Sequence, residues 1–245
     1  MKIMNNLSLK IAHLYPKLLN LYGDIGNIIT LRNRCIWRSI NVEITDINLG
    51  DEVSGYDIYF IGGGQDKQQE DVAAELLAQK DKFLQERDKN SVFLGICGGY
   101  QLFGHYYQPH NKPRLQGISL LDAYTIAGDK RFIGNVTVQT DFLSPSTLVG
   151  FENHSGLTYL QGDTLPIGKS IIGAGNNGQD KSEGARFKNV FGTYLHGSLL
   201  PKNPHFADYL ISLALEKKYG NNFELTPLDD ALEIQTHNAL VSKGY

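Results

Sequence analysis

The chain has 245 residues, and 23 Lys and Arg against 26 Asp and Glu leave a formal net charge of −3. A composition of 41% hydrophobic and 20% charged residues is typical of a globular protein and argues against a disordered chain. The near-neutral charge argues against nucleic acid as a partner, and two cysteines are too few to staple a secreted disulfide scaffold of this length.

The first hundred residues alternate between short apolar runs and segments with helical spacing. Helices are predicted over 27–40 and 68–88, where apolar residues fall on one face. The predicted strands are 7–14, 42–47, 57–61 and 91–96. Strands that alternate with helices predict an α/β fold, with a mostly parallel central sheet flanked by helices on both faces.

The second half of the chain has a different pattern. From residue 117 to 191, short runs separated by glycine and polar turns predict additional mixed or antiparallel strands. Two helices are predicted to close the chain, over 204–219 after an Asn203 cap and over 228–243 after Thr226-Pro227. Because no linker interrupts the pattern, we expect a single domain over residues 1–245.

The sequence Gly95-Ile96-Cys97-Gly98-Gly99 lies between a predicted strand and an apolar helix. This is the order of a nucleophile elbow, with cysteine where α/β-hydrolases have serine. The helix N-terminus is expected to lower the pKa of the Cys97 thiol, and backbone N–H groups there could stabilise an oxyanion. The alternative is a buried cysteine in a glycine-rich turn, and that interpretation is preferred for Cys35, which lies beside Leu31 and Ile36 on a predicted helix.

A thiolate nucleophile needs a base that later returns a proton to the leaving amine. Of seven histidines, His196 stands out because it ends a strand-like run over 190–195. A third feature, the glycines of 62–64, follows the predicted strand 57–61, and such glycines let a ligand or an oxyanion approach the backbone. The ends of parallel strands share one edge of the sheet, so we expect these three features to meet there.

The sequence contains one stretch that is similar to a cofactor-binding motif. Residues 162–170 resemble a phosphate-binding loop, but five residues separate the glycines where four are required. We find no dinucleotide-binding glycine pattern after a strand and no cysteine or histidine pairs at zinc spacing. We therefore expect this chain to hold no ATP, NAD or metal, so that any ATP-driven step would need another polypeptide.

The stretches GICGGYQLFG and GTYLHG, with GGGQD upstream, resemble the class I glutamine amidotransferases in the form found in the cobyric acid synthase group. A free-standing chain of this size that carries FENHSG at 151–156 is further similar to the glutaminase subunits of lipid II isoglutaminyl synthases. The resemblance implies a flavodoxin-like fold and hydrolysis of L-glutamine through a Cys–His thioester mechanism. It also implies a heterodimer with a Mur ligase-like (MurT-like) synthetase. That partner would use ATP and Mg²⁺ to amidate the D-glutamate α-carboxyl of lipid II.

The resemblance carries roles onto individual residues. It implies that Cys97 attacks the glutamine amide and that His196 activates the thiol and protonates the departing ammonia. Backbone N–H groups near Gly64 and Gly98 would stabilise the oxyanion. Arg131, which can pair with a carboxylate in bidentate fashion, would hold the glutamine carboxylate. The residues expected to contact substrate are Arg131, Gln101 and Gln65.

One position departs from the commoner class I pattern. A glutamate two residues after the histidine orients the imidazole there, whereas this chain has Ser198. The cobyric acid synthase group shares the departure. The third member of the triad could be a carboxylate of the partner subunit, Glu152 or Asp24, although Asp24 lies in a helix-entry turn where a capping role is the ordinary interpretation.

Three alternatives stay open: an amidotransferase for a corrinoid or another carboxylate, a non-catalytic binding subunit, and a cysteine peptidase or hydrolase. The intact Cys97 and His196 argue against the second, and the Cys-Gly-Gly-Tyr-Gln continuation argues against the third. No segment approaches the roughly 18 apolar residues that a membrane helix needs. Because the sequence shows no export segment and the thiol must stay reduced, we expect a cytoplasmic protein without membrane insertion. It would act at the inner membrane face through the lipid-linked substrate of the complex.

Overall fold

The computed structural model describes residues 7–20, 24–64, 66–220 and 224–243. The strands in these ranges form two six-stranded sheets. The first contains β1 (Ser8–Leu14), β2 (Asn41–Ile47), β3 (Ile58–Ile61), β4 (Val92–Ile96), β11 (Ala185–Phe187) and β12 (Val190–Thr193). The second contains β5 (Tyr106–Gln108), β6 (Leu115–Gln116), β7 (Ala123–Gln139), β8 (Thr147–Leu160), β9 (Gly168–Ile172) and β10 (Ser182–Glu183).

Seven helices are described with these sheets. They are α1 (Ile25–Ile36), α2 (Asp66–Ala78), α3 (Lys80–Asp88), α4 (Gly98–Phe103), α5 (Leu199–Lys202), α6 (Pro204–Tyr219) and α7 (Ala231–Ser242). No helix within the described ranges is both long and apolar enough to cross a membrane.

The first sheet has the order β2-β1-β3-β4-β12-β11, and every pair is parallel except β11 with β12. Its apolar residues alternate between two core clusters. Ile58 and Phe60 pack with residues of α1 and α6, whereas Tyr59 and Ile61 pack with residues of α2 and α3. The predicted α/β fold with helices on both faces is therefore confirmed. Cys35 is fully buried in the α1 cluster, as predicted.

The predicted helix over 68–88 is two helices. Gln79 separates α2 from α3 because its backbone (φ −108°, ψ 12°) leaves the helical region. The predicted helix over 27–40 ends at Ile36, before a turn in which Ser39 has a φ of 55°.

The C-terminal half also departs from prediction in its details. The mixed pairing is confirmed, since β7 pairs antiparallel with β8 and parallel with β5. The structure has one long strand, β7, where the sequence predicts short runs, and its register with β8 shifts between Ala127 and Phe132. Asn203 does not cap α6 with its side chain, which instead bonds the backbone of Val149. The last helix begins at Ala231 and not at residue 228. The single-domain organisation stays a prediction.

Strand register places three chain segments at one edge of the first sheet. Ile61 of β3 lies opposite Gly95 of β4, and Thr193 of β12 lies opposite Ile96. The glycines that follow β3, the cysteine that follows β4 and the histidine that follows β12 therefore leave the sheet side by side, as expected for the carboxyl edge of a parallel sheet.

Candidate active site

Cys97 is held in the strained turn that the sequence predicts. Its backbone has φ 51° and ψ −103°, a conformation that L-residues rarely adopt and that costs on the order of 1–3 kcal/mol. The Cys97 N–H donates to the Thr193 carbonyl at 2.8 Å, and the Cys97 carbonyl accepts from the Gln101 N–H at 2.9 Å. These two bonds tie the elbow to β12 on one side and to α4 on the other.

His196 is fixed through its own backbone. It lies just beyond β12, and its N–H donates to the Phe151 carbonyl at 2.8 Å while its carbonyl accepts from the Phe151 N–H at 3.3 Å. The residue is 1% exposed. Strand β8 therefore holds the backbone of the histidine in place.

The position of Gly63 shows how close the cysteine and the histidine are. A Cβ atom built on Gly63 would lie 3.1 Å from His196 Cε1 and 3.4 Å from Cys97 Cβ. Both side chains thus border the same small space, which only a residue without a side chain leaves open. The structure brings the predicted nucleophile and the predicted base together.

The two glycines expected to stabilise an oxyanion are neighbours. A Cβ atom built on Gly98 would lie 3.3 Å from the Gly64 backbone nitrogen and would collide with the Gln69 amide. Gly98 follows Cys97 directly, and its N–H stabilises negative charge on the sulfur. Two backbone N–H groups beside one nucleophile are what an oxyanion hole requires.

In the chain by itself, both reacting groups are neutral at physiological pH. Cys97 keeps some exposure, but its crowded surroundings raise the pKa of the thiol to about 12, and Asp24 adds to this effect. The predicted lowering of the thiol pKa by the helix N-terminus is therefore wrong, because desolvation outweighs the Gly98 N–H of a six-residue helix. Burial, together with the nearby His154, Arg131 and Lys202, lowers the pKa of His196 to about 4.

Asp24 is fully buried and faces the glycine loop. Its Oδ2 accepts from the Gly63 N–H at 2.7 Å, and it makes no side-chain cap at the start of α1. The ordinary capping interpretation is therefore wrong. Burial raises the pKa of the Asp24 carboxyl to about 7, opposed by the bond from Gly63. Asp24 thus holds the backbone of Gly63, the glycine that lies beside both the cysteine and the histidine.

Glu152, the other candidate for the orienting acid, is bonded elsewhere. Its carboxylate oxygens accept from the Ala174 and Gly175 N–H groups at 2.9–3.2 Å. The carboxylate therefore anchors the turn after β9, and its Oε2 lies 3.9 Å from Nε2 of His154.

The predicted substrate contacts have different environments. Arg131 is exposed on β7, and its Nε donates to Asn153 Oδ1 at 2.6 Å. Its positive charge acts on both Cys97 and His196, so it lies near the site. Gln101 is buried, and its side-chain amide is hydrogen-bonded to Gln69 and Tyr194. The amide therefore holds other side chains of the site in place. Gln65 lies outside the described residues.

Two buried residues that contact the segment before His196 were not predicted from the sequence. Glu183 accepts from the Thr193 hydroxyl at 2.6 Å and from the Tyr194 N–H at 2.9 Å. The His154 ring stacks on the Tyr194 ring, with centroids 3.6 Å apart. His154 lies in the FENHSG stretch on which part of the family resemblance depends, so the sequence could have indicated that this residue belongs to the site. Glu183 gives no comparable signal, since only the tertiary structure brings β10 against β12.

In the described part of the chain, no group of three or more His, Cys, Asp or Glu side chains is arranged to hold a metal ion. The absence of a cofactor in this chain stays a prediction.

Comparison with known proteins adds a family. Residues 10–204 match the model of the CobB/CobQ-like glutamine amidotransferase domain. The chain is 41% identical over 238 residues to a protein of Staphylococcus aureus strain N315 named lipid II isoglutaminyl synthase (glutamine-hydrolyzing) subunit GatD, with 96% of each chain covered. A protein of the same name from Streptococcus pneumoniae strain R6 is 40% identical over 227 residues, with 91% of this chain and 87% of that protein covered.

A solved structure supports the fold. A glutamine amidotransferase of Thermotoga maritima superposes with a TM-score of 0.55 at 16% identity, and the superposition covers 96% of this chain and 93% of that one. At this level of identity the likeness concerns the fold alone.

Proposed function

The chain belongs to the CobB/CobQ-like glutamine amidotransferase family, and from that premise we propose that it is the glutamine-hydrolysing subunit of a lipid II isoglutaminyl synthase. The substrate is L-glutamine, and the products are glutamate and ammonia. The match to two proteins of that name over nearly their whole length favours this assignment over a corrinoid amidotransferase.

A single observation carries the proposal: Cys97 and His196 both border the space above Gly63. A strained cysteine beside a buried histidine is the arrangement that thioester chemistry needs, because the base must reach the sulfur and then the leaving nitrogen. The adjacent N–H groups of Gly64 and Gly98 add the means to stabilise an oxyanion.

The reaction then proceeds in two stages. His196 accepts the thiol proton as Cys97 Sγ attacks the side-chain amide carbon of glutamine, and the carbonyl oxygen becomes negative beside Gly64 and Gly98. His196 returns the proton to the departing nitrogen, which leaves as ammonia, and a glutamyl thioester remains on Cys97. Water then attacks the thioester, with His196 as base, and glutamate is released. Arg131 pairs with the α-carboxylate of glutamine, for which its guanidinium has further N–H donors.

An electrophilic glutamine analogue tests this function. We expect it to alkylate Cys97 in the wild-type protein, and glutamine to slow the reaction in proportion to its occupancy of the site. Cys97→Ala is the matched control and should take up no label at residue 97, whereas Cys35→Ala should label as the wild type does. Labelling that glutamine does not slow would contradict the proposal, because the thiol would then react without a glutamine site.

We also infer that ammonia passes to a Mur ligase-like partner, which uses ATP and Mg²⁺ to amidate the D-glutamate α-carboxyl of lipid II. Both relatives are named as a subunit of a synthase, and this name supports the existence of a partner subunit. Because lipid II is membrane-bound, the complex would act at the inner membrane face.

The positions of the two candidate acids of this chain support a role for this partner in hydrolysis. Ser198 stands where a glutamate would follow the histidine, Asp24 bonds Gly63, and Glu152 bonds Ala174 and Gly175. A base with a pKa near 4 takes the proton of a thiol with a pKa near 12 poorly. A carboxylate from the partner beside His196 would raise the pKa of the imidazole and improve the transfer.

The glutaminase rates of the chain alone and of the complex test this role. We expect the partner to raise kcat at least about tenfold, the effect of supplying one group of a catalytic unit. Equal rates with and without the partner would refute an acid supplied in trans, while leaving the glutaminase function itself intact.

A further inference from the structure

Helix α1 carries large apolar side chains on its exposed side. Ile25, Ile29 and Ile36 are spaced by four and seven residues, so they fall on one line along the helix, and their exposed fractions are 38%, 50% and 46%. Another side of α1, with Ile28 and Leu31, already lies in the core. The helix is therefore apolar on two sides, although packing on the sheet requires only one.

Trp37 adds an aromatic ring next to Ile36. It is the C-cap residue of α1, it is 59% exposed, and it is the only tryptophan of the chain. Tryptophan is enriched in protein–protein interfaces and contributes much of their binding energy. We call Ile25, Ile29, Ile36 and Trp37 the α1 face. Such a group of exposed apolar side chains marks an interaction surface, whereas the other exposed large apolar residues of the described ranges are scattered over separate elements.

The α1 face begins at the edge of the proposed active site. Ile25 follows Asp24, whose carboxylate accepts from the Gly63 N–H beside Cys97 and His196. A protein seated on the α1 face therefore reaches the residues that hydrolyse glutamine. A subunit that takes up the ammonia has to lie there, since ammonia released at an open site passes into solvent.

Helix α5 connects the α1 face to the base. A Cβ atom built on Gly26 would lie 3.9 Å from Pro201 Cγ, so the first turn of α1 lies beside α5. The last residue of α5 is Lys202. A Cβ atom built on Gly197 would lie 2.8 Å from Lys202 Nζ, so this ammonium lies beside the residue that follows His196.

The charge of Lys202 has no counterion in the described part of the chain. No carboxylate of those residues pairs with it, and burial lowers the pKa of the ammonium without an opposing hydrogen bond. Arg32 lies on the same side of α1 as Ile29, bonds the neighbouring Asn33 amide, and pairs with no described carboxylate. A partner surface that is apolar and carries carboxylates therefore complements the α1 face and both cations.

A carboxylate at Lys202 would also act on the base. The positive charge of Lys202 contributes to the low pKa of His196, and a paired carboxylate would weaken this contribution. Docking at this end of the surface would therefore raise the pKa of the imidazole, which is the change that the proposed role of the partner in hydrolysis requires.

We propose that the α1 face is the docking surface of the Mur ligase-like synthetase, which covers it with apolar side chains and places a carboxylate at Lys202. The identity of the partner rests on the proposed function. The position of the surface rests on the four exposed side chains and on the ammonium without a counterion.

Two substitutions on the α1 face test the surface. Ile29→Asp and Trp37→Ala should each raise the Kd for the purified synthetase at least about tenfold in calorimetric titrations, because a few central apolar side chains carry most of the energy of an interface. Both side chains are exposed, so the urea midpoints of the variants should match that of the wild type. Ile171→Asp is the matched control, because this residue is 60% exposed on β9, and its Kd should stay within about twofold of the wild-type value.

Lys202→Met tests the charge at the edge of the site. It should raise Kd about tenfold and make Kd less sensitive to salt than in the wild type, since one attraction between opposite charges is lost. Lys169→Met, at an exposed lysine of β9, should change neither quantity. If Lys202→Met binds as the wild type does at every salt concentration, no carboxylate docks at Lys202 and the proposal is overturned.

The single tryptophan allows a measurement that needs no variant. With 5-fluorotryptophan in this chain and an unlabelled synthetase, Trp37 gives the one ¹⁹F signal. A water-soluble gadolinium chelate should broaden that signal strongly in the free chain and much less in the complex. Equal broadening in both would overturn the proposal. Protection in the free chain that rises with its concentration would overturn it in favour of a second copy of this chain.

Labelling of Cys97 separates the surface from the proposed function. Ile29→Asp should leave the reaction of Cys97 with the electrophilic glutamine analogue unchanged in the chain alone, because Ile29 lies outside the site. A complex that keeps its wild-type Kd in both α1 variants overturns the docking surface and leaves the glutaminase function intact. A chain whose Cys97 the analogue does not label, but whose Trp37 the synthetase protects, refutes the glutaminase function and supports the docking surface.

Discussion

A methyl group at Gly63 should separate the nucleophile from the base. Carbon atoms in contact usually lie about 3.5–4.0 Å apart, and a Cβ atom at this position would lie 3.1 Å from His196 Cε1. The imidazole must therefore retreat by roughly 0.5 Å. Misplacement of a reacting group by about 1 Å can cost about 10²-fold in rate, so we expect Gly63→Ala to lower kcat/KM by about ten- to a hundredfold.

The same geometry predicts that the variant folds. The contacts of the new Cβ with Cys97 Cβ and Asp24 Oδ2, at 3.4 and 3.6 Å, are ordinary van der Waals contacts. Gly63 is not among the glycines with positive φ, so alanine is compatible with its backbone. The destabilisation should therefore stay near the 1 kcal/mol typical of a point substitution, as measured by urea unfolding.

The assay is glutamate release from glutamine by the complex, with kcat and KM determined separately. Gly134→Ala is the matched control, because a Cβ there meets nothing within 4 Å and should leave the rate unchanged. A Gly63→Ala protein with wild-type kcat/KM and wild-type stability would refute the reasoning, since the space above Gly63 would then not be where the chemistry occurs.

Three further predictions concern single residues of the site. Cys97→Ser and His196→Ala should each cost at least about 10³-fold in the rate of glutamine hydrolysis if the two act as a unit, and a loss below tenfold for His196→Ala would mean that another residue is the base. Arg131→Lys should raise KM for glutamine about tenfold with a smaller change in kcat, because lysine cannot pair with the carboxylate in bidentate fashion, and a change confined to kcat would contradict this role. Asp24 has a pKa of about 7 in the folded chain against an ordinary value of 3.8, so between these two pH values the folded state holds a proton that the unfolded state has lost. The free energy of unfolding should therefore fall as the pH rises from 3.8 to about 7. The free energy of unfolding, measured in urea titrations, should fall by on the order of 4 kcal/mol by pH 8, and Asp24→Asn should remove this fall. If the variant and the wild type show parallel pH dependences, Asp24 is not the group responsible.

The sequence by itself determined the chemistry of the elbow and its place in the sheet. A cysteine flanked by glycines between an apolar strand and a helix indicates a strained turn, because only residues without side chains leave room around it. The strand-like run that ends at His196 is equally local. Since parallel strands end at one edge of a sheet, these two patterns and the glycines of 62–64 were sufficient to predict that nucleophile, base and loop would meet.

Only the tertiary structure decided the environment of these groups. The pKa of the Cys97 thiol depends on how tightly distant segments pack around the sulfur, so the local pattern of a helix N-terminus predicted the wrong direction. The partners of Asp24 and Glu152 likewise come from remote parts of the chain, Gly63 in one case and the turn at 174–175 in the other. Hydrogen bonding and desolvation at a buried site depend on contacts between residues far apart in sequence, and neither composition nor spacing contains those contacts.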